Sequence, residues 1–286
     1  MAQINNRLNT LLSRTMSALT PVLATLAALG VFAIILMTLG ANPIEAYGAL
    51  VEGAVGSPNA IADTLVKATP LLLIGLGTCI AFRGGVVNIG GEGQLVVGAL
   101  AATLLGLLYP ESPGYVIIPL AMLMGFLAGA IWGAIPGALK AYFNVNEILS
   151  TIMMNQIAVQ GMNFLLRDVM IDPVQLEAAS RIPQTARLVK EFDLPRLIPT
   201  RLHLGALLAV VVAILVYIFL WRTTIGYRIR AVGLNPDAAR YAGIKVKRYI
   251  VLSLLLSGAL GGLAGAVQVY GVSHRMFTDG SAAGFT

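Results

Sequence analysis

What this 286-residue chain has little of is charge: only 11% of its residues are Asp, Glu, Lys or Arg, while 57% are hydrophobic. Soluble globular domains carry about 25% charged residues. The polar surface available here is too small to cover a water-soluble globule of this length, so the chain belongs in a lipid bilayer. It has a single cysteine, Cys79, set in an apolar run, which excludes an intramolecular disulfide and any cysteine-built zinc or iron–sulfur site. Its two histidines, His203 and His274, are far apart in sequence and form no ligand cluster by spacing. No grouping of His, Asp or Cys supplies the nucleophile and base, or the metal ligands, that an intramembrane enzyme requires. The net charge of +6 points to membrane orientation and not to nucleic acid.

Long stretches free of charge are abundant. A helix of about 20 apolar residues crosses the hydrocarbon. Residues 15–44, 68–82, 93–110, 112–139, 148–166, 202–221 and 249–274 are each bounded by charged residues, which gives seven candidate spans. The second is short, but Lys67 can snorkel and lengthen it by a turn. The fifth is the most polar, with Thr151, Asn155, Gln156, Gln160 and Asn163. Amides unpaired in lipid are costly, so that helix is expected to face protein or a water-filled path. The first apolar run is too long for a secretory signal and lacks a small-residue cleavage site, so it reads as a retained helix. The expected fold class is all-α, a polytopic transmembrane helical bundle, read as one transmembrane domain over residues 1–286. Glycines four apart, such as Gly125 and Gly129 or Gly133 and Gly137, with Gly261, Gly262 and Gly265, read as close helix packing.

Orientation follows from the connections. Arg222, Arg228, Arg230, Arg240, Lys245, Lys247 and Arg248 oppose one acid, Asp237, between residues 222 and 248, which marks that segment as cytoplasmic. Arg7 and Arg14 place the N-terminus on the same side, as six intervening spans require. Residues 41–63, 111–115 and 167–201 then face outward, as does the C-terminus.

Three segments carry mechanism. Arg83-Gly-Gly-Val-Val-Asn-Ile-Gly-Gly-Glu-Gly-Gln94 holds five glycines, which permit backbone conformations closed to other residues. Non-helical backbone at membrane depth is tolerated only where it is buried in protein or lines a cavity. An acid there, Glu92, marks a functional site; the alternative is a short turn with Glu92 solvated, and the residues alone leave both open. No βαβ unit surrounds Gly90, Gly91 and Gly93, so they form no dinucleotide fingerprint. In Gly233-Leu-Asn-Pro-Asp-Ala-Ala-Arg-Tyr-Ala-Gly243, Asn235 is an N-cap and Pro236 suits the first helical position. Asp237 complements the helix dipole, and Gly243 is the left-handed stop. This gives a helix of about two turns, too short to stand alone in water. Its Ala238, Ala239 and Ala242 form a smooth face suited to docking a partner, in contrast to the bulky apolar face of a helix lying on lipid headgroups. The third segment, Val145-Asn-Glu-Ile-Leu-Ser-Thr-Ile-Met-Met-Asn155, is capped by Asn146 or Glu147 and opens a polar stripe.

These residues resemble a known family. Asn88-Ile-Gly-Gly-Glu-Gly-Gln94, Asn146-Glu-Ile-Leu-Ser-Thr-Ile-Met-Met-Asn155 and the run from Gly226 to Ile244 are similar to ABC-importer permeases of the simple-sugar, nucleoside and branched-chain amino-acid branch. The Asn-Ile-Gly-x-Glu-Gly-Gln form looks most like the nucleoside type. The resemblance implies an inner-membrane transport subunit with no chemistry or cofactor of its own, with ATP and Mg on a partner. Its implied partners are a cytoplasmic ABC ATPase, a second permease subunit, identical or different, and an external substrate-binding protein met by residues 167–201. It also implies that Gly233, Asn235, Pro236, Asp237, Ala238, Ala239, Arg240, Tyr241 and Gly243 form the coupling helix. Asn88, Glu92, Gln94 and Asn155 are carried over as positions along the solute pathway. The expected solute is a nucleoside, with a simple sugar second. Members of that family continue with further spans beyond the position of Phe285, so a truncated chain or short form is expected. An ion-coupled secondary transporter is the alternative from another class, with Glu92 as its one plausible intramembrane acid.

Overall fold

The computed structural model describes residues 2–177 and 182–277, with side chains over 19–175 and 182–277. All of the regular structure among these residues is helical; β-pairing is limited to two isolated bridges, Gln184 with Phe277 and Arg196 with His203. The chain divides into two compact units, Met1–Ile61 and Ala62–Thr286.

The first unit contains α1 (Ala2–Thr38) and α2 (Pro43–Val55). Gly40, with φ of +77°, makes the turn between them. Asn42 caps α2 by accepting from the Ile44 amide at 3.0 Å, with Pro43 in the first helical turn. Residues 41–63 therefore hold a helix that hydropathy alone does not announce. Tyr47 donates to the Leu29 carbonyl and its ring lies 6.1 Å from that of Phe32.

In the second unit the helices α3 (Pro58–Arg83), α4 (Gly91–Leu108), α5 (Gly114–Phe143), α6 (Glu147–Arg167), α8 (Leu204–Arg222) and α11 (Val246–Gln268) follow the charge-free intervals. Shorter pieces lie between them: α7 (Pro173–Glu177), α9 (Thr224–Leu234) and α10 (Pro236–Tyr241). Six helices of the described residues are long and apolar enough to cross a membrane. This corrects the count of seven. Helix α6 forms with 21 residues, a spanning length, but its amides leave it too polar to qualify on composition.

The centre is a crossing of α4, α5 and α11 built on glycine. A Cβ at Gly98 would strike Gly262, one at Gly125 would lie 2.9 Å from the Gly262 carbonyl oxygen, and one at Gly129 would lie 2.6 Å from the Gly262 Cα. Helix pairs gain little hydrophobic driving force in lipid, so this backbone proximity, with the dispersion contacts it permits, holds the crossing together. Helix α11 is consequently the most enclosed, with an unbroken buried run from Ser257 to Gln268.

Candidate functional site

Between α3 and α4 the backbone leaves the helical form. Gly85 turns it at φ of +74°, and Val86 and Asn88 are buried. The segment's polar groups are satisfied from three elements. Asn88 donates from Nδ2 to Ser257 Oγ at 2.7 Å and to Gln94 Oε1 at 3.0 Å, while its Oδ1 accepts from the Gly90 amide at 2.8 Å. Asn155 of α6 accepts from the Gly93 amide at 2.9 Å and donates to the Ile89 carbonyl at 3.0 Å. The Ile89 amide donates to Thr151 Oγ1 at 3.4 Å. The expected residues Asn88, Gln94 and Asn155 thus converge, and their amides hold the irregular backbone in place. Gly93 lies in the first turn of α4, where its N–H has no partner inside the helix. Ser257 and Thr151 complete the cluster; Thr151 was noted only as part of a polar helix, and Ser257 was not singled out. The only signal for Ser257 was a hydroxyl in a mostly apolar span, a signal it shares with Ser253 one turn earlier.

Glu92 stands apart. Its side chain is exposed, and its carboxylate has no hydrogen bond or ion pair among the described residues. On α6 the amides divide by face. Asn155 is buried, whereas Gln156 and Gln160 are exposed. Gln160, Asn163, Phe164, Arg167 and Asp168 line a cavity of about 280 Å³, and Asn163 Oδ1 is buried there with no partner.

The short helix forms as its punctuation dictates. Asn235 Oδ1 accepts from the amides of Asp237 at 3.1 Å and Ala238 at 3.0 Å, and Gly243 ends the helix at φ of +79°. Its alanines do not share one face, however. Ala239 is buried with Ile229, Val232, Val246 and Tyr249, so it secures α10 to its own bundle. What projects outward is Leu234, 88% exposed, and Tyr241, 95% exposed. Leu234 was missed because a single leucine before an N-cap has no periodic pattern to announce it. A Cβ at Gly233 would lie 2.7 Å from the Gly85 nitrogen, so α9, which leads into α10, sits directly on the glycine-rich segment. Trp221 joins the same region, with Arg230 4.2 Å and Arg83 5.0 Å from its ring centre.

At the far end of α11, residues 185–194 bond to the chain after it: Thr185 to the Met276 carbonyl, Leu188 to that of His274 and Leu194 to that of Tyr270. His203 and His274, distant in sequence, come near enough for their charges to interact. Burial holds the His203 imidazole below the usual histidine range, and His274 lowers it further. Burial also lowers His274, against the pull of Asp193 at 2.8 Å, with Arg187 and Arg196 adding to the lowering. Among the described residues no three His, Cys, Asp or Glu gather as a metal site.

The described residues thus make a multi-pass helical membrane protein, with an irregular, amide-braced segment between α3 and α4 and a capped short helix beside it. Residues 60–286 match the family described as branched-chain amino acid transport system, permease component. The chain is 36% identical over 274 residues to the guanosine ABC transporter permease protein NupP of Bacillus subtilis, covering 96% of this chain and 78% of that protein. It is 34% identical over 276 residues to the nucleoside ABC transporter permease protein NupB of Lactococcus lactis, covering 93% of this chain and 74% of the relative. A glucose ABC transporter permease protein of Haloferax volcanii is 34% identical over 267 residues, covering 90% of this chain and 69% of its own. No solved structure matches. The chain belongs to the ABC transporter permease family, and it is a transport subunit in a multi-pass membrane protein class.

Proposed function

We propose that this chain forms half of the pathway of an ABC importer for nucleosides, in the inner membrane, with its N-terminus and the α9–α10 segment cytoplasmic. The observation that carries the solute assignment is the similarity, over nearly the whole chain, to permeases named for guanosine and for nucleosides. ATP and Mg act on a separate ATPase, an external binding protein delivers solute to the face that carries the loop 167–201, and a second permease subunit completes the path. The chain itself contributes no cofactor and no nucleic-acid contact.

In this reading α10 is the coupling helix, and Leu234 and Tyr241 are the side chains that enter the ATPase. Both are exposed, Leu234 at 88% and Tyr241 at 95%, and an ATPase docked on α10 would cover them. Movement of α10 passes through Gly233 and Gly85 into the segment braced by Asn88, Gln94 and Asn155, which forms part of the pathway wall together with Glu92. Gln160 and Asn163, which line the cavity of about 280 Å³, offer the hydrogen-bonding groups that a ribose or base needs.

The test is uptake of radiolabelled guanosine into proteoliposomes that hold this chain, its partner permease, the ATPase and the binding protein. ATP-dependent guanosine uptake that unlabelled adenosine competes and glucose does not establishes the reading. Competition by glucose alone assigns a sugar permease. Uptake that persists without ATP and follows an ion gradient replaces it with secondary transport centred on Glu92.

A further inference from the structure

Beside the short helix lies a second polar space, open to its surroundings. A cavity of about 570 Å³ lies between α9, the turn after α10 and the start of α11. Its wall carries Arg228, Lys245 and Arg248 together with Tyr227 and Tyr249, and no carboxylate. Among the described residues none of the three cations has an ion pair. The nearby acid, Asp237, pairs with Arg240 at 3.4 Å. Other cations of this region rest on aromatic faces, as Arg230 does on Trp221 and Lys247 on Tyr142. Arg228 instead donates from Nη1 to the hydroxyl of the buried Tyr249 at 3.0 Å. Gly243 leaves its side of the cavity open, with no atom within 4 Å of the place a Cβ would occupy.

Three like charges around one space repel, and a multivalent anion between them turns the repulsion into binding. Guanidinium forks match phosphate oxygens two at a time, the ammonium adds a point charge, and tyrosine hydroxyls supply neutral donors. Basic pockets at the membrane edge of helical bundles accept phospholipid headgroups on these terms. We propose that this cavity binds a phosphate group, carried either by an anionic phospholipid or by a soluble phosphate compound. An occupant would brace the turn from α10 into α11. That consequence for transport rests on the coupling role proposed above, whereas the binding itself does not.

The experiment uses the full chain in two settings. In detergent, inorganic pyrophosphate is titrated at constant ionic strength with tyrosine and tryptophan fluorescence as the readout. In nanodiscs made from equal parts phosphatidylglycerol and phosphatidylcholine, retained lipid is counted by native mass spectrometry. Each is repeated with the double variant Lys245→Gln, Arg248→Gln and with Lys245→Gln alone, whose exposed side chain makes no hydrogen bond or ion pair among the described residues. Saturable pyrophosphate binding weakened tenfold or more by the double variant, and measurably by the single one, establishes a site for soluble phosphate. Selective retention of phosphatidylglycerol that the variants abolish, with pyrophosphate silent, establishes a lipid headgroup site. No binding in either setting, or binding that all variants keep, overturns the proposal. These outcomes are independent of ATPase docking, because no ATPase is present.

Discussion

Replacing Asn155 with Ala withdraws two partners from the segment between α3 and α4 at once. The Gly93 amide loses its acceptor at 2.9 Å and the Ile89 carbonyl its donor at 3.0 Å. The Gly93 amide is buried, whereas Ile89 is exposed and its bond only partly buried, so the full cost of a buried group left unpaired, about 1–3 kcal/mol, falls on Gly93 and sets the expected loss of stability. Asn155→Asp keeps an acceptor for Gly93 but sets a carboxylate oxygen against the Ile89 carbonyl, so it should lose part of that and not recover the rest. The assay is thermal unfolding of the purified protein in detergent, joined to amide hydrogen exchange across residues 86–94. Exchange should rise at Gly93 and Ile89 before it rises in the α4–α5–α11 crossing. Unchanged unfolding and unchanged exchange, with only a raised KM for uptake, would refute the reasoning and make Asn155 a solute contact in place of a brace.

Gln160→Leu and Asn163→Leu should behave in the opposite way, raising the KM for guanosine about tenfold (the loss of about 1.4 kcal/mol, one hydrogen bond) while leaving the melting temperature in place. Gly262→Val drives a Cβ and two methyl groups into Gly125 and Gly129 and should cost about 3 kcal/mol or more, read as loss of monodisperse protein on size exclusion. Tyr241→Arg should leave stability within about 0.5 kcal/mol and abolish co-purification with the ATPase, whereas Ala239→Arg should destabilise α10 itself, since Ala239 is buried. The His203 imidazole is held below its ordinary value, so the folded state binds its proton more weakly than the unfolded chain does. Its contribution to stability is complete above about pH 6.5 and lost as pH falls below it, so acid should lower the melting temperature. His203→Asn keeps an N-cap acceptor for the Gly205 amide, and its unfolding profile should be flatter between pH 7.5 and pH 5.

Most of the architecture was written in local sequence. Charge-free runs place the apolar helices, because a charge inside hydrocarbon is costly wherever it falls along a span. Caps are local too: Asn146 and Asn235 each bond amides two and three residues ahead, so their spacing alone marks where α6 and α10 begin. Helices α2 and α9 were not legible, being too short or too mixed in character for hydropathy to distinguish from connection. The composition of α6 was legible as polar, but which amide braces and which faces open space depended on its neighbours.

The sequence by itself determined that the chain lives in a membrane as an all-helical bundle, that α10 forms between Asn235 and Gly243, and that the segment after Arg83 departs from helix. These follow from hydropathy, capping and glycine content, which act within a few residues. Only the tertiary structure decided that Asn88, Gln94, Asn155 and Ser257 meet, that Gly233 rests on Gly85, that His203 lies near His274, and that Ala239 faces inward while Leu234 and Tyr241 face out. Each of those depends on the direction in which one helix crosses another, and that direction is set by contacts between residues far apart along the chain.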